Sequence, residues 1–572
     1  MTFLGALVRR QVSDRVLLGL VVVLVLILFG LTPILEAVPR FAVAWRHVGI
    51  AQAILDTGHI DPRIDAYFNW PGFFVLVAAL ARASGFHNAL PLAAWSPIYF
   101  NLAYLAPLLV IMRSLTVSRR LIWLGVWFFY LGNWIGQDYF SPQGFSYLLY
   151  LVIIAILLRY FVTQPHEPST GMPYLIRLLR RIPEPEPETV DPAPARPAPQ
   201  RRALLACIVF LFAVLVPTHQ LTPVAVLFAA TAVVIVEARS LVWLPPLMAA
   251  LLGGWYVTGA KTFFNGHLSQ IFGQALQLEA VFTQNVANRV GGDFDHRVIA
   301  DLTIVAGATM WCLALVGASR LMRRDSRYRM GIGLALAPLP LLPLQTYGGE
   351  MLLRVELFAL PFTAFFAAAA LVGDDDEIRL HARRCAGIGG VLLVSAGLFL
   401  FARYGNERID YFTRSETTAV ARLYALAKPG STLVAGTGNL PWKYTQYQDH
   451  RYRLVTEMPH WSATTPVTAD PGPLLQDVRD AMNSSSRRSY LIIERSEEKE
   501  VDQLGYGRPG SLARFADVVA ASPLFRVVYR NPDATIFTLA RLGSVPSLQL
   551  LAETGAHAAP VQASRTKRRH KP

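Results

Sequence analysis

The acidic, basic and amide side chains that could do chemistry gather in four short polar stretches, each beside an apolar run. The first holds Glu36, Arg46, His47, Asp56, His59, Asp61, Arg63 and Asp65. The second is "GQDYFSPQ", with Gln137, Asp138, Tyr139 and Gln143, and the third is "PTHQLTP", with His219 and Gln220. The fourth, "TYGGEMLLR", carries Tyr347, Glu350 and Arg354. A carboxylate can take a proton from a hydroxyl, and fixed positive charge can hold an anion. Ionisable groups beside a membrane are costly unless they are used or paired, which ranks these stretches first as candidates.

Each also has a structural reading. Asp65 in "RIDAYFNWPG" suits a turn cap or a partner for Arg63, Asp138 a solvated loop carboxylate, and Glu350 a pair with Arg354 one helical turn later. His219, seen alone, is more often a hydrogen-bonded structural histidine than a proton carrier. Tyr67, Phe68, Trp70, Phe73 and Phe74 fit an interfacial aromatic belt, although rings also suit sugar or prenyl contacts. In "GGDFDHR", Asp293, Asp295 and His296 could ligate a divalent cation, but no matching glutamate or turn register completes the pattern.

The elements that must position these residues are membrane helices. With 53% hydrophobic and 16% charged residues over 572 positions, the chain is more apolar than a soluble enzyme. Apolar runs near the ~20 residues a span needs recur at about 17–35, 94–113, 121–136, 144–161, 203–217, 222–237, 241–258, 299–319, 330–347, 355–373 and 385–402. They predict about eleven spans, the first retained rather than cleaved as a signal peptide. The net charge of +14 sorts by topology and does not call for nucleic acid. Arg113, Arg119 and Arg120 share one short loop, Arg320, Arg323, Arg324, Arg327 and Arg329 another, and Arg379, Arg383 and Arg384 a third. With the N-terminus inside, all three are cytoplasmic only if residues 70–85 do not cross, which predicts an interfacial helix with Trp70 and Arg82 at headgroup level. Cys207, Cys312 and Cys385 lie in or beside apolar helices and are expected to be buried small hydrophobes, with neither a disulfide framework nor a metal cluster.

The same count places a first loop, 36–93, and everything after 402 on the outer face of the plasma membrane. The Pro-rich stretch 163–202 is expected to be an extended cytoplasmic linker. From 403 to about 545 short β-rich runs, "STLVAG", "YLIIE", "FRVVYR" and "TIFTLA", alternate with helical stretches, predicting an extracytoplasmic α/β domain. Its "GTGNLPW" resembles a phosphate loop only weakly, since no Gly-Lys-Ser/Thr follows, and a plain turn is expected. Residues 546–572 read as a disordered basic tail.

An inside N-terminus, one span, a long outer loop with aspartates, the helix start "YFNWPGFFVLVAALARASG", a bundle and an outer soluble domain together resemble the GT-C membrane glycosyltransferases. Within that group the "DYFSPQ" and "YGGE…R" turns look most like those of large actinobacterial integral membrane proteins. The resemblance covers about 1–402 and implies a GT-C-like bundle. It also implies a polyprenyl-phosphate sugar donor, an envelope glycan, lipid or protein acceptor, and in-line, inverting transfer of a hexosyl or pentosyl group. Asp65 or Asp61 would be the base. Arg354, His219 or Arg289 would hold the donor phosphate, and Glu350, Gln220, Asp138 and Gln143 would line the donor or acceptor site. One departure stands out: the stretch after the first span, "PRFAVAWRHVGI", has no aspartate where many relatives carry their acidic residue.

Two other functions fit the layout, a transporter or flippase for lipid-linked sugars and a non-catalytic scaffold that binds envelope polysaccharide. Transporters tend to place polar residues or broken helices at mid-membrane in two related halves, and no such repeat is visible. Here the polar residues concentrate at one face.

Overall fold

The computed structural model describes residues 2–9, 12–36, 38–162, 197–265, 291–343, 350–376 and 381–540. In chain order the bundle helices are α1 (Thr2–Val8), α2 (Asp14–Leu35), α3 (Ala42–Thr57), α4 (Gly72–Ser84), α5 (Leu90–Leu115), α6 (Arg119–Gly132), α7 (Pro142–Leu157), α8 (Ala198–Leu215), α9 (Thr222–Val236), α10 (Leu244–Val257), α11 (Phe294–Met322), α12 (Arg329–Leu336), α13 (Met351–Val372) and α14 (Ala382–Tyr404). Of the linker expected over 163–202, only residues from 197 onward are described, and they lead into α8. The tail from 546 lies outside the described residues.

Among the described residues eight helices, not eleven, are long and apolar enough to cross a membrane: α2, α5, α7 with the turn to Val162, α8, α10 with the turn from Arg239, α11, α13 and α14. The runs at 121–136, 222–237 and 330–347 give only α6, α9 and α12, of 14, 15 and 8 residues. Hydropathy alone does not see where a helix stops. After α6 the chain turns at Asn133 and takes a left-handed conformation at Gly136, and after α12 it tightens into a proline-bearing 3-10 turn at Leu339–Leu341. Helix α6 still connects the two ends of the bundle. Arg119 Nε donates to Asp14 at 2.7 Å at the start of α2, whereas Asp138 meets Arg403 at the far end of α14. A helix walled in by protein, as α6 is on nearly every side chain, has no lipid thickness to match.

The end marked by Asp14, Arg113 and Arg119 is the arginine-rich, cytoplasmic end by the positive-inside rule. At the opposite end lie α3 and α4. Helix α4 is too short to span and is tied at both ends to other outer segments, Gly72 N–H donating to Pro217 O at 2.9 Å and Arg82 Nη2 to Leu55 O at 3.0 Å. The aromatics in it and in the turn before it correct the belt expectation: Phe68, Trp70, Phe73 and Phe74 are buried, three of them in a core shared with α3, and Trp70 meets Phe263 edge-on. Cys207 and Cys312 are also not buried as expected; they sit exposed on helices long and apolar enough to cross a membrane.

After α14 come α15 (Glu407–Asp410) and α16 (Arg414–Leu426), the latter opened by a capping box between Thr413 and Glu416. A five-stranded sheet follows, in the order β2-β1-β3-β5-β4. Its strands are β1 (Thr432–Ala435), β2 (Arg451–Leu454), β3 (Tyr490–Glu494), β4 (Phe525–Asn531) and β5 (Ala534–Leu539). β1 runs parallel to β2 and β3, which requires crossovers, and α17 (Gly472–Asn483) supplies the one from β2 to β3. Helices α18 (Arg495–Leu504) and α19 (Ser511–Ala521) complete the layer. The "GTGN" turn after β1 is no open phosphate cradle. The buried Glu497 carboxylate already accepts from Thr437 N–H at 2.9 Å and from Glu494 N–H at 2.7 Å, filling the space an anion would take.

Candidate functional site

Helix α3, ended by left-handed Gly58, carries Arg46 and His47 on adjacent positions. The loop behind it brings Asp65 back to Arg46. Arg46 donates to Asp65 Oδ2 through Nε at 2.7 Å and through Nη2, while Asp65 Oδ1 accepts from Tyr67 N–H at 2.9 Å and caps the 3-10 turn Ala66–Asn69. The third donor comes from 382 residues away: the Tyr447 hydroxyl donates to Asp65 Oδ2. The Asp65 side chain is 1% exposed. Asp61 is different, 34% exposed and paired with Arg63 of its own loop at 2.9 Å. Asp65 therefore does cap a turn, but its ion pair is with Arg46 and not with Arg63.

His47 carries the cluster inward. One ring nitrogen, Nδ1, meets Phe140 O at 2.8 Å, the ring stacks on Tyr139, and buried Nε2 has no hydrogen-bond partner among the described residues. Burial pushes its pKa down to about 4, so at neutral pH the ring is uncharged. His219 lies within electrostatic reach of His47 and of Arg354. Burial first, and then the Arg354 charge, push His219 down to about 3. Its Nδ1 accepts from Thr222 N–H at 3.2 Å and lies 3.0 Å from Thr222 Oγ1, capping the start of α9. Gln143 Nε2 reaches the same hydroxyl at 3.3 Å, leaving buried Oε1 without a partner among the described residues. Arg354 is buried and pairs with Glu350 at 2.7 Å, as their spacing predicts. Gln220 contributes its backbone carbonyl to Tyr256 at 3.3 Å. The first stretch thus meets the second where His47 reaches Phe140 and Tyr139, and the second meets the third where Gln143 and His219 share the Thr222 hydroxyl, while Arg354 of the fourth acts on His219 through its charge. Arg289 and Tyr347 lie outside the described residues.

Asp138 belongs to the scaffold of this end and is no solvated loop carboxylate. Both Arg403 terminal nitrogens grip it, with Asn101 donating to it as well. Above it Arg40 bonds Glu407, Asp410 and the Arg403 carbonyl, bringing α15 onto the end of α2, where Glu36 sits. Burial, a hydrogen bond to Glu407 and its repulsion push Glu36 up to about 9. The residues of "GGDFDHR" are each engaged elsewhere: Asp293 caps α11 through His296 N–H at 2.8 Å, Asp295 pairs with Arg408, and His296 meets Asn406. Among the described residues no group of three or more His, Cys, Asp or Glu side chains converges as a cation site.

Sequence reasoning missed Tyr447, Lys443 and Arg403. Arg403 had a visible signal, a lone arginine ending an apolar run. Tyr447 and Lys443 lie in an aromatic-rich loop, "PWKYTQYQDH", whose contact with α3 follows only from the folded chain.

No protein-family model and no curated protein matches the chain. Among solved structures it is similar to the oligosaccharyltransferase of Archaeoglobus fulgidus tethered to an acceptor peptide, with TM-score 0.50 and 12% identity over 93% of this chain and 74% of that one. ArnT from Cupriavidus metallidurans aligns with TM-score 0.49 and 11% identity over 91% of this chain and 97% of its own. The arabinofuranosyltransferase AftD from Mycobacteria aligns with TM-score 0.47 and 15% identity over 92% and 41%. At such identities the likeness is one of fold: the chain is a polytopic α-helical membrane protein of GT-C-like fold with a C-terminal domain on its outer end.

Proposed function

We propose that the protein is a membrane glycosyltransferase that moves a sugar from a polyprenyl-phosphate donor to an envelope glycan, lipid or protein at the outer face of the plasma membrane. One observation carries the reading: a carboxylate, Asp65, is held within hydrogen-bond reach of a hydroxyl at the junction of the first outer loop and the C-terminal domain. Tyr447 stands where an acceptor hydroxyl would stand. With an acceptor in that place, Asp65 takes its proton, the acceptor oxygen bonds the anomeric carbon, and the opposite bond to the phosphate oxygen breaks, giving inversion. The departing polyprenyl phosphate gains charge that Arg354, beside neutral His219, complements; Arg289 has the same chemistry. Gln143 and Gln220 offer amides to the sugar, and Glu350 and Asp138 hold the arginines in place. Asp61, exposed and tied to Arg63, is the lesser candidate for the base. The narrower resemblance to actinobacterial envelope proteins rests on the "DYFSPQ" and "YGGE…R" turns alone.

The full set of donors on Asp65 favours one second reading, a non-catalytic scaffold in which this carboxylate clamps the domain to the loop. Transfer from a polyprenyl-phosphate sugar, measured on purified Asp65→Asn beside wild type, separates the two. Loss of transfer in a normally folded variant supports the enzyme; full transfer with lowered melting temperature supports the clamp.

A further inference from the structure

We propose that Lys443 and Arg46 form a subsite for a compact oxyanion, a phosphate or a carboxylate, carried by the acceptor. The inference rests on the glycosyltransferase reading for the word acceptor, but the subsite itself rests on the geometry of one loop. Lys443 has φ 64 and Gln446 φ 49, two left-handed non-glycine residues within four positions, a conformation that costs free energy and persists where the surroundings impose it. What imposes it is the close approach of α3. The Lys443 carbonyl lies so near Gly49 that a methyl group there would stand 1.6 Å from its oxygen. Gly49 is one turn beyond Arg46, so the loop delivers Lys443 to the helix that carries Arg46.

The lysine side chain is then aimed by two rings, its Nζ lying 5.0 Å from the centroid of Trp442 and 4.9 Å from that of Tyr452. Among the described residues its ammonium makes no hydrogen bond and no ion pair, whereas Arg46 already has its carboxylate in Asp65. Burial and the neighbouring Arg46 push its pKa down to about 8, against weaker opposing pulls from Asp65 and exposed Glu457. Arg46 and Lys443 thus bring two positive charges to one loop, where the single buried carboxylate, the proposed base Asp65, is already held by Arg46. An oxyanion on the acceptor supplies the missing negative charge and sets its hydroxyl near Asp65. Arg354, whose charge acts on His219, stays with the donor phosphate.

The test is competitive labelling of the full-length protein in detergent at pH 8 with an amine-acetylating reagent, read at each lysine by mass spectrometry. The probes are glucose 6-phosphate, glucuronate and neutral glucose. A bound oxyanion favours the unreactive ammonium and covers it, so labelling of Lys443 is expected to fall about tenfold with glucose 6-phosphate, glucuronate or both, while glucose and exposed Lys428 and Lys499 show no change. Protection by one anionic probe alone identifies which oxyanion the subsite takes. Equal protection by glucose, or none by either anion, overturns the proposal. Because labelling does not need turnover, protection that survives in a protein without transfer activity leaves the subsite standing and removes the glycosyltransferase reading alone.

Discussion

Arg403 holds Asp138 through both terminal nitrogens, at 3.0 and 3.1 Å, with both side chains 2% exposed. Asn101 completes the carboxylate and in turn accepts from Asn133 at 2.8 Å, so two helices and the turn after α6 share one buried charge pair. Breaking such a pair from one side strands a charge in a dry interior. Asp138→Ala is therefore expected to lower stability by about 3–5 kcal/mol, read as thermal unfolding in detergent. Asp138→Leu combined with Arg403→Met removes both charges and is expected to recover part of that loss; a double variant worse than the sum of the two singles would mean the pair acts through something other than its charges.

Asp65→Asn keeps shape but cannot accept a proton, and transfer is expected to fall about 10²–10⁴-fold in a protein that still inserts. Asp61→Asn, altering an exposed pair, should leave transfer within about twofold and stability within ~0.5 kcal/mol. Measuring both variants in one preparation makes the comparison direct, and an equal effect of the two would remove Asp65 from the role.

Tyr447→Phe deletes one hydroxyl from the Asp65 cluster and keeps the ring. If the hydroxyl only keeps the acceptor's place, transfer persists or rises while stability falls by about 1 kcal/mol. A loss of transfer matching that of Asp65→Asn would instead give the tyrosine a direct part in proton movement.

Gly49→Ala should loosen the C-terminal domain from α3, since the new methyl group cannot coexist with the Lys443 carbonyl at 1.6 Å. A cost of about 1–3 kcal/mol is expected, along with new protease cleavage in the 442–447 loop. Wild-type protease resistance in the variant would show that the loop shifts freely.

Stability should fall on both sides of a mid-range pH. Burial pushes Asp410 up to about 7 and Glu36 up to about 9, so the folded protein keeps protons that the unfolded chain has released above about 4. That contribution is whole in acid and is lost as pH rises through 7 and then 9. His47 and His219, pushed down by burial to about 4 and 3, act oppositely. Their contribution is whole above about 6.5 and is lost as pH falls through those values. Glu36→Gln is expected to flatten the alkaline side of a melting-temperature profile and leave the acid side alone; an unchanged alkaline side would assign it to other groups.

The sheet was readable because strands such as Tyr490–Glu494 are short apolar runs between helical stretches, whereas β2 was not, since Arg451 and Arg453 give "RYRL" no apolar character. Apolar runs located the bundle but overstated its long helices, because a turn such as that at Asn133 sits inside an apolar stretch without changing its hydropathy. The pairing of Glu350 with Arg354 followed from a four-residue spacing. The pairing of Arg46 with Asp65 needed a loop to fold back, and Tyr447 needed the whole chain.

That last separation has a consequence for biosynthesis. Asp65 emerges 382 residues before the tyrosine that covers it, and Arg40 emerges 367 residues before Glu407. At about 5–20 residues per second, a ribosome needs roughly 20–80 s to travel from one to the other. Throughout that interval Asp65 lacks the tyrosine that covers it and Arg40 lacks Glu407. A chain released early, anywhere before residue 447, carries that unfinished surface permanently. The contact that covers Asp65 therefore closes only after every bundle helix has left the ribosome.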